Sequence, residues 1–257
     1  MLFLNQFMYK DKVLTEIVQN TERGSIIFDN TIFEEVSQEL FSPSYWLHSK
    51  KSSNEIGGRG NVYFLNDGDR KYVLRHYFRG GLVSKFSYDS YLWLGENKTR
   101  SFREWRLLKF LYDKNLPVPR PAAANYQKNN YLYKADIITL QIPEVQPLAT
   151  FIADIAEKII PDNFWYKLGY QIANFHFVGL FHADLNAFNI QIDKSHKSWL
   201  IDFDKGSIRE PGRWEQSNLN RLKASLEKIS GNNPKVSYSD FNWNELNEGY
   251  AQFFRSA

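Results

Sequence analysis

The chain of 257 residues is 43% hydrophobic and 24% charged, a globular balance that excludes a disordered or low-complexity protein. It holds no run of about 18 apolar residues that could span a bilayer as a helix. Its opening, MLFLNQFMYKDKVL, lacks the basic start of a secretory signal and is interrupted at Asn5 and Gln6. With no cysteine, a disulfide framework and a thiolate metal site are both excluded, which agrees with a cytoplasmic address. Net charge is only +3, but it is unevenly spread. Arg70 to Lys109 carries ten Lys/Arg against three acids, a net of +7, which leaves −4 for the remainder. Tyr77, Phe78, Phe86, Tyr88, Tyr91, Trp93, Phe102 and Trp105 are interleaved there. Such a stretch suits a phosphate-rich partner or an anionic membrane surface, with aromatics such as Tyr91 and Trp93 at headgroup level. It equally suits a solvated basic face over an ordinary core.

Residues 1–55 give little signal beyond a helix starting in EVSQELF and stopped by Pro43. Gly57-Gly58-Arg59-Gly60 is a turn, followed by the apolar run Val62–Leu65. A second turn at Asn66–Asp69 leads to a strand over Lys71–Tyr77, and the two strands read as an antiparallel hairpin. Phe102, Trp105, Leu108 and Tyr112 recur at helical spacing within Thr99–Tyr112, which ends at Asn115-Leu116-Pro117. Strand-like segments continue to about Leu140, and Ile142-Pro143-Glu144 marks a break. Helices follow over Leu148–Ile159 and over Phe164–Val178, the latter started by Asp162 or Asn163 and closed by Gly179. The last helix carries Leu219, Leu222, Leu226 and Ile229, with Gly231 past its end. The pattern predicts an α+β protein of two parts: residues 1–142, strand-rich with one helix, and residues 143–257, mostly helical.

Chemistry concentrates in His182-Ala183-Asp184-Leu185-Asn186-Ala187-Phe188-Asn189 and in Asp202-Phe203-Asp204. Folding Ile190–Ile192 onto Trp199–Ile201 about Ser195-His196 sets Asn189 opposite Asp202, with Asp184 one short loop away. An amide oxygen and a carboxylate so placed suit magnesium, which takes few protein ligands and completes its shell with phosphates. A carboxylate beside them can orient a hydroxyl and accept its proton. His182 reads as an organiser of the loop rather than a ligand.

H-x-D-x-x-x-x-N, a short hairpin and D-F-x together resemble the protein-kinase-like superfamily. That resemblance implies a bilobal fold, a small antiparallel-sheet N-lobe carrying one helix and a mostly helical C-lobe. It also implies a glycine-rich turn over the phosphates of ATP, for which Gly58 and Gly60 are candidates, although Tyr63 stands where a third glycine might. The cation on the next strand is Arg75 instead of the usual Lys, and the helical acid that pairs with it is Glu104. Ser101 and Glu104 also have the spacing of a capping box. Little chain follows Asp204, with no A-P-E and no long activation segment, so a small-molecule or lipid-linked sugar acceptor fits better than a peptide.

Five segments narrow the resemblance. Arg75-His76-Tyr77-Phe78-Arg79-Gly80-Gly81, Thr99–Glu104, Leu116-Pro117-Val118-Pro119-Arg120-Pro121, the His182–Asn189 loop and Gly212-Arg213-Trp214 together resemble the 3-deoxy-D-manno-octulosonic acid (Kdo) kinases. The likeness runs from about Gly57 onward. It implies transfer of the ATP γ-phosphate to the 4-hydroxyl of a Kdo sugar on lipid A precursor in lipopolysaccharide biosynthesis. The place would be the cytoplasmic face of the Gram-negative inner membrane, with the protein peripheral on it and no nucleic-acid partner. It implies Asp184 as the base, Asn189 and Asp202 as magnesium ligands, Arg75 and Glu104 as the phosphate-side pair, and Arg79 and Lys85 in the patch that meets the anionic glycolipid. The competing readings are a heptose or aminoglycoside kinase and an inactive kinase-fold binding module. Intact Asp184, Asn189 and Asp202 argue against the last. Asp204 replaces the Gly of D-F-G, as either an extra ligand or a turn residue.

Overall fold

The computed structural model describes residues 13–48, 62–78, 89–153, 160–233, 236 and 238–256. Two compact units emerge. The first contains the described residues up to Lys114 together with Pro119–Gln141, and the second contains Asn115–Val118 and the described residues from Ile142 onward.

The first unit is an antiparallel sheet of seven strands, β1 (Ile17–Thr21), β2 (Gly24–Phe28), β3 (Val62–Asn66), β4 (Lys71–His76), β5 (Tyr91–Leu92), β6 (Pro121–Asn129) and β7 (Leu132–Leu140). Their order is β1-β2-β6-β7-β4-β3, with β5 also on β7. Antiparallel neighbours need only short connections. Between β3 and β4, Asp67 Oδ1 accepts the N–H groups of Asp69 and Arg70 at 2.9 and 2.7 Å, and Gly68 supplies a φ of +93°. Strand alternation decides what each face carries. On β4, Tyr72 and Leu74 pack with Phe28, Trp46 and Ile138 in the core. Arg75 points to the other face, where helix α2 (Arg100–Asp113) presents Phe102, Trp105 and Leu108, all buried.

A buried ion pair ties this sheet together. Arg120 at the head of β6 donates to Asp29, just past β2, through Nε at 3.0 Å and Nη2 at 2.5 Å. Asp29 is fully buried and its other oxygen accepts from Thr31 N–H at 3.1 Å and Thr31 Oγ1 at 2.9 Å. Removing one member of such a pair costs about 3–5 kcal/mol, because the other charge stays buried alone.

Three expectations change here. Pro43 begins a helix, α1 (Pro43–His48), rather than ending one, since its fixed φ suits the first helical position. The expected EVSQELF helix is reduced to a 3-10 turn over Gln38–Phe41. Tyr91 is buried against Tyr133 and its hydroxyl accepts from Arg100 at 2.8 Å, so it is no headgroup anchor. Trp93 packs against Tyr126 with ring centroids 4.8 Å apart and planes tilted by 36°.

The second unit is helical around two small sheets. Its helices are α3 (Leu148–Ala153), α4 (Phe164–Phe177), α5 (Trp214–Asn232) and α6 (Asp240–Ser256). Residues 154–159 of the expected longer helix lie outside the described residues. Strand β10 (Ile190–Ile192) pairs with β11 (Ser198–Leu200) and with β8 (Gln146–Pro147), and β9 (Leu180–Phe181) pairs with β12 (Ser207–Ile208). Helices α4 and α6 cross through two glycines. A Cβ on Gly169 would lie 1.9 Å from Leu246 O, and one on Gly249 would lie 2.0 Å from Tyr166 O. Helix α5 continues through Gly231 instead of stopping before it, and α6 beyond it completes the bundle. Among the described residues no helix is long and apolar enough to cross a membrane.

His176 on α4 is buried between Trp214 and Tyr250, with Nδ1 2.9 Å from the Tyr250 hydroxyl. Burial pulls its pKa down from 6.5 to about 4. Between those values the unfolded chain takes a proton that the folded chain refuses, so stability falls as pH drops below 6.5. The slope from this one group reaches about 1.4 kcal/mol per pH unit. Urea unfolding of wild type and His176→Gln between pH 7 and pH 4.5 checks this: the variant should lose less stability over that range. Parallel curves would remove His176 from the acid response.

Candidate active site

In the first unit, β4 and α2 bring together the cation and the acid that the motif positions single out. Arg75 Nη2 donates to both carboxylate oxygens of Glu104 at 2.5 Å. Glu104 is 5% exposed and Arg75 21%, so the acid is interior and the guanidinium reaches outward. The Tyr77 hydroxyl donates to Glu104 Oε2 at 2.6 Å, and its ring lies 4.7 Å under the Arg75 guanidinium. Burial beside the Glu104 charge pushes the Tyr77 pKa well up, which keeps the phenol a donor. A capping box is not formed, because Thr99 is the N-cap residue and Ser101 Oγ donates to Asn125 O at 2.7 Å. Glu104 is therefore committed to Arg75 and Tyr77. Gly58, Gly60, Arg79 and Lys85 lie outside the described residues.

In the second unit, β9 and the β10–β11 hairpin carry the remaining candidates. His182, 2% exposed, is the joint between them. The Asp184 N–H donates to its Nδ1 at 3.2 Å, so Nε2 carries the proton and donates to Ile201 O at 3.0 Å. The Nδ1 contact requires the neutral ring, and burial lowers its pKa accordingly. One imidazole thus connects the backbone of Asp184 to the residue before Asp202. The Phe203 ring closes edge-on over it at 5.3 Å.

The loop from Asp184 to Asn189 is wound on side-chain hydrogen bonds. Asn186 Oδ1 accepts from the N–H groups of Phe188 and Asn189 at 2.8 and 3.1 Å. Asn189 Nδ2 donates to Asp184 O at 2.9 Å, which directs the amide's nitrogen inward. Leu185 and Ala187 are buried, whereas Asp184 and Asp202 are exposed. Asp202 has a φ of +63° and Lys205 one of +64°, left-handed conformations that ordinary side chains rarely take. Strained backbone of this kind collects at functional sites.

The hairpin register differs from the expected one by one residue. Ile190 pairs with Leu200 and Ile192 with Ser198, so Asn189 faces Ile201, whose N–H donates to Asn189 O at 3.0 Å. The turn holds three residues, Lys194, Ser195 and His196, with His196 at φ +61°. An Asp193 carboxylate oxygen accepts from Ser195 and Lys197 N–H at 2.8 and 3.0 Å and fixes that longer turn. Asp202 is consequently the next residue along rather than the direct partner of Asn189.

Helix α5 supplies residues that no motif announces. Asn218, 2% exposed, accepts from His182 N–H at 3.1 Å and donates to His182 O at 3.0 Å. Arg221 Nη1 lies 3.6 Å from Asp184 Oδ1, and Ser225 Oγ accepts from Ala187 N–H at 3.2 Å. The one signal in the sequence is a buried Asn inside the leucine stripe of Leu219, Leu222 and Leu226, which a helix tolerates when its amide has partners.

The donor set fits a hard divalent cation. Among the described residues no three His, Asp or Glu side chains gather as an all-protein metal cage. One carboxylate, Asp202, and one amide oxygen, that of Asn189, suit magnesium that takes its other ligands from phosphates and water. His182 has both ring nitrogens engaged and is no ligand.

His182→Ala should release the Asp184 amide and lower unfolding free energy by about 1–3 kcal/mol. Native-state hydrogen exchange reads both: protection at Asp184 should drop more than at the α4 amides. Unchanged protection there would show that the loop does not depend on the imidazole.

Residues 44–250 match the model of the "Lipopolysaccharide kinase (Kdo/WaaP) family". The chain is 44% identical over 222 residues to a 3-deoxy-D-manno-octulosonic acid kinase of Stenotrophomonas maltophilia, covering 86% of this chain and 87% of that protein. It is 40% identical over 240 residues to one of Xanthomonas campestris, covering 93% and 94%. A solved structure described as "WaaP in complex with acyl carrier protein" shares the fold, with a TM-score of 0.53 at 15% identity over 77% of this chain and 78% of that one. Its kinase-like fold, the His182-tied loops and these relatives agree: the chain belongs to the lipopolysaccharide kinase (Kdo/WaaP) family and is a kinase.

Proposed function

We propose that this enzyme moves the γ-phosphate of ATP to the 4-hydroxyl of a Kdo sugar on a lipid A precursor. The observation that carries the chemistry is the His182 bridge, which ties the backbone N–H of Asp184, whose carboxylate is exposed, to the segment bearing Asp202. The acceptor class rests on relatives at 40–44% identity named as kinases of that sugar acid.

In this reading Asp184 accepts a hydrogen bond from the acceptor hydroxyl and takes its proton as the oxygen attacks the γ-phosphorus and ADP leaves. Its backbone is fixed by His182 and Asn189, so the residue that bears the carboxylate is in place before substrate arrives. Magnesium held by Asn189 and Asp202 would offset the phosphate charge. Arg75, anchored by Glu104, serves the nucleotide phosphates as a bidentate donor, and Gly58 and Gly60 are assigned to the same nucleotide from their place in the sequence. The short link from Asp204 to α5 at Trp214 favours a sugar over a peptide acceptor.

Steady-state kinetics with ATP and a Kdo-bearing lipid A precursor test the assignment. Asp184→Ala should lower kcat by about 10²–10⁴ with the KM for ATP little changed. Asp202→Asn should demand far more magnesium for half-maximal rate. Full turnover in the first variant, or superimposable magnesium titrations in the second, would remove that residue from its role.

A lipid-linked acceptor brings the enzyme to a bilayer, and we assign it a peripheral place on the cytoplasmic face of the inner membrane. Leu92 (55% exposed) and Leu94 (63%), within the basic segment, and Tyr131 (83%), between β6 and β7, support contact along this edge. The protein should float with anionic vesicles at low salt and be released at high salt. Indifference to vesicles at every ionic strength would refute the peripheral assignment.

A further inference from the structure

Helix α5 lies along the Asp184 loop and touches it three times. Asn218 holds both backbone groups of His182, Arg221 faces Asp184, and Ser225 accepts from Ala187 N–H. Their spacing of three and then four residues places them on one stripe of the helix. Arg221 is therefore held from both sides, by the buried Asn218 contact one turn before it and the partly buried Ser225 contact one turn after it.

Its own side chain is not consumed by the fold. Arg221 is 55% exposed and Asp184 61%, and their closest approach of 3.6 Å is longer than the 2.7–2.9 Å of a charge-assisted hydrogen bond. Leu185 to Asn189 holds no Lys or Arg, so among the described residues Arg221 is the cation that faces Asp184. A guanidinium has five donors in a planar fork that matches a carboxylate. The site thus presents, side by side, an acceptor for a hydroxyl proton and a fork for an anion.

We propose that Arg221 is a specificity-determining residue: its guanidinium binds the carboxylate of a sugar-acid acceptor while Asp184 holds the hydroxyl to be phosphorylated. This deepens the Kdo-acceptor reading and rests on it. A 2-ulosonic acid bears its carboxylate on the carbon two ring positions from the 4-hydroxyl, so one pyranose ring offers both groups to neighbouring side chains. Arg221 also selects against neutral sugars, which would leave the guanidinium facing Asp184 alone.

The experiment compares wild type, Arg221→Gln and Arg221→Lys on two acceptors, the Kdo glycolipid and the same compound with its carboxylate converted to the neutral amide. On the natural acceptor, Arg221→Gln should raise the acceptor KM by about 10- to 100-fold, as loss of a hydrogen bond to a charged group predicts. The KM for ATP and the melting temperature should stay near wild type, and Arg221→Lys should recover part of the loss. On the amide, wild type and Arg221→Gln should converge. An effect exerted only through the charge of Asp184 would fall equally on both acceptors and would overturn the inference, as would a rise confined to the KM for ATP. Failure of wild type to phosphorylate either acceptor would instead overturn the acceptor reading, and the inference with it.

Discussion

A single buried imidazole organises the candidate site of the second unit. His182 can accept from Asp184 N–H and donate to Ile201 O only while it is neutral, and its burial under Phe203 enforces that state. A protonated ring would lose its acceptor and strand a charge in the interior. The positions of Asp184 and of the segment entering Asp202 are thus two ends of one hydrogen-bonded link. Asn218 grips the backbone of the same residue from α5, so the link is fixed to a long helix rather than left on a loop.

The rest of the second unit supports that joint. Gly169 and Gly249 let α4 and α6 meet backbone to backbone, which leaves α4 positioned to deliver the chain through Gly179, at φ +83°, into β9 and then His182. The candidate carboxylates Asp184 and Asp202 remain exposed, while the buried His182 holds the backbone of Asp184 and of Ile201 beside Asp202. This division separates stability from function: Asp184 and Asp202 can be altered with small structural cost, whereas His182 and Asn218 cannot.

The first unit solves a different problem. Two of its ion pairs differ in what they leave accessible. Arg120 is enclosed with Asp29 and Thr31, so its charge is spent on closing the sheet. Arg75 is held by an interior Glu104 and Tyr77 but stays partly exposed, which leaves it fit to meet a polyanion. The face of β4 decides the difference, since Arg75 sits on the α2 side of an alternating strand.

Much of this was legible in the chain itself. Apolar spacing marked α2 and α4, turn chemistry marked the β3–β4 hairpin, and the fixed intervals between His182, Asp184, Asn189 and Asp202 marked the candidate site, because motif residues must recur where backbone geometry demands them. Strand β1 was not legible, since nearly all of its residues face solvent and show no alternation. Helix α6 carries Trp243, Leu246, Tyr250 and Phe253 at helical spacing, but its close docking on α4 through Gly249 was not legible in that stripe. The hairpin register turned on whether Asp193 closes a two- or three-residue turn, a choice made by side-chain hydrogen bonds that spacing does not encode. Asn218, Arg221 and Ser225 are more than 28 residues beyond Asn189 and carry no motif of their own. Only the packing of α5 along the loop, a long-range contact set by which helix face is buried, brings them to Asp184.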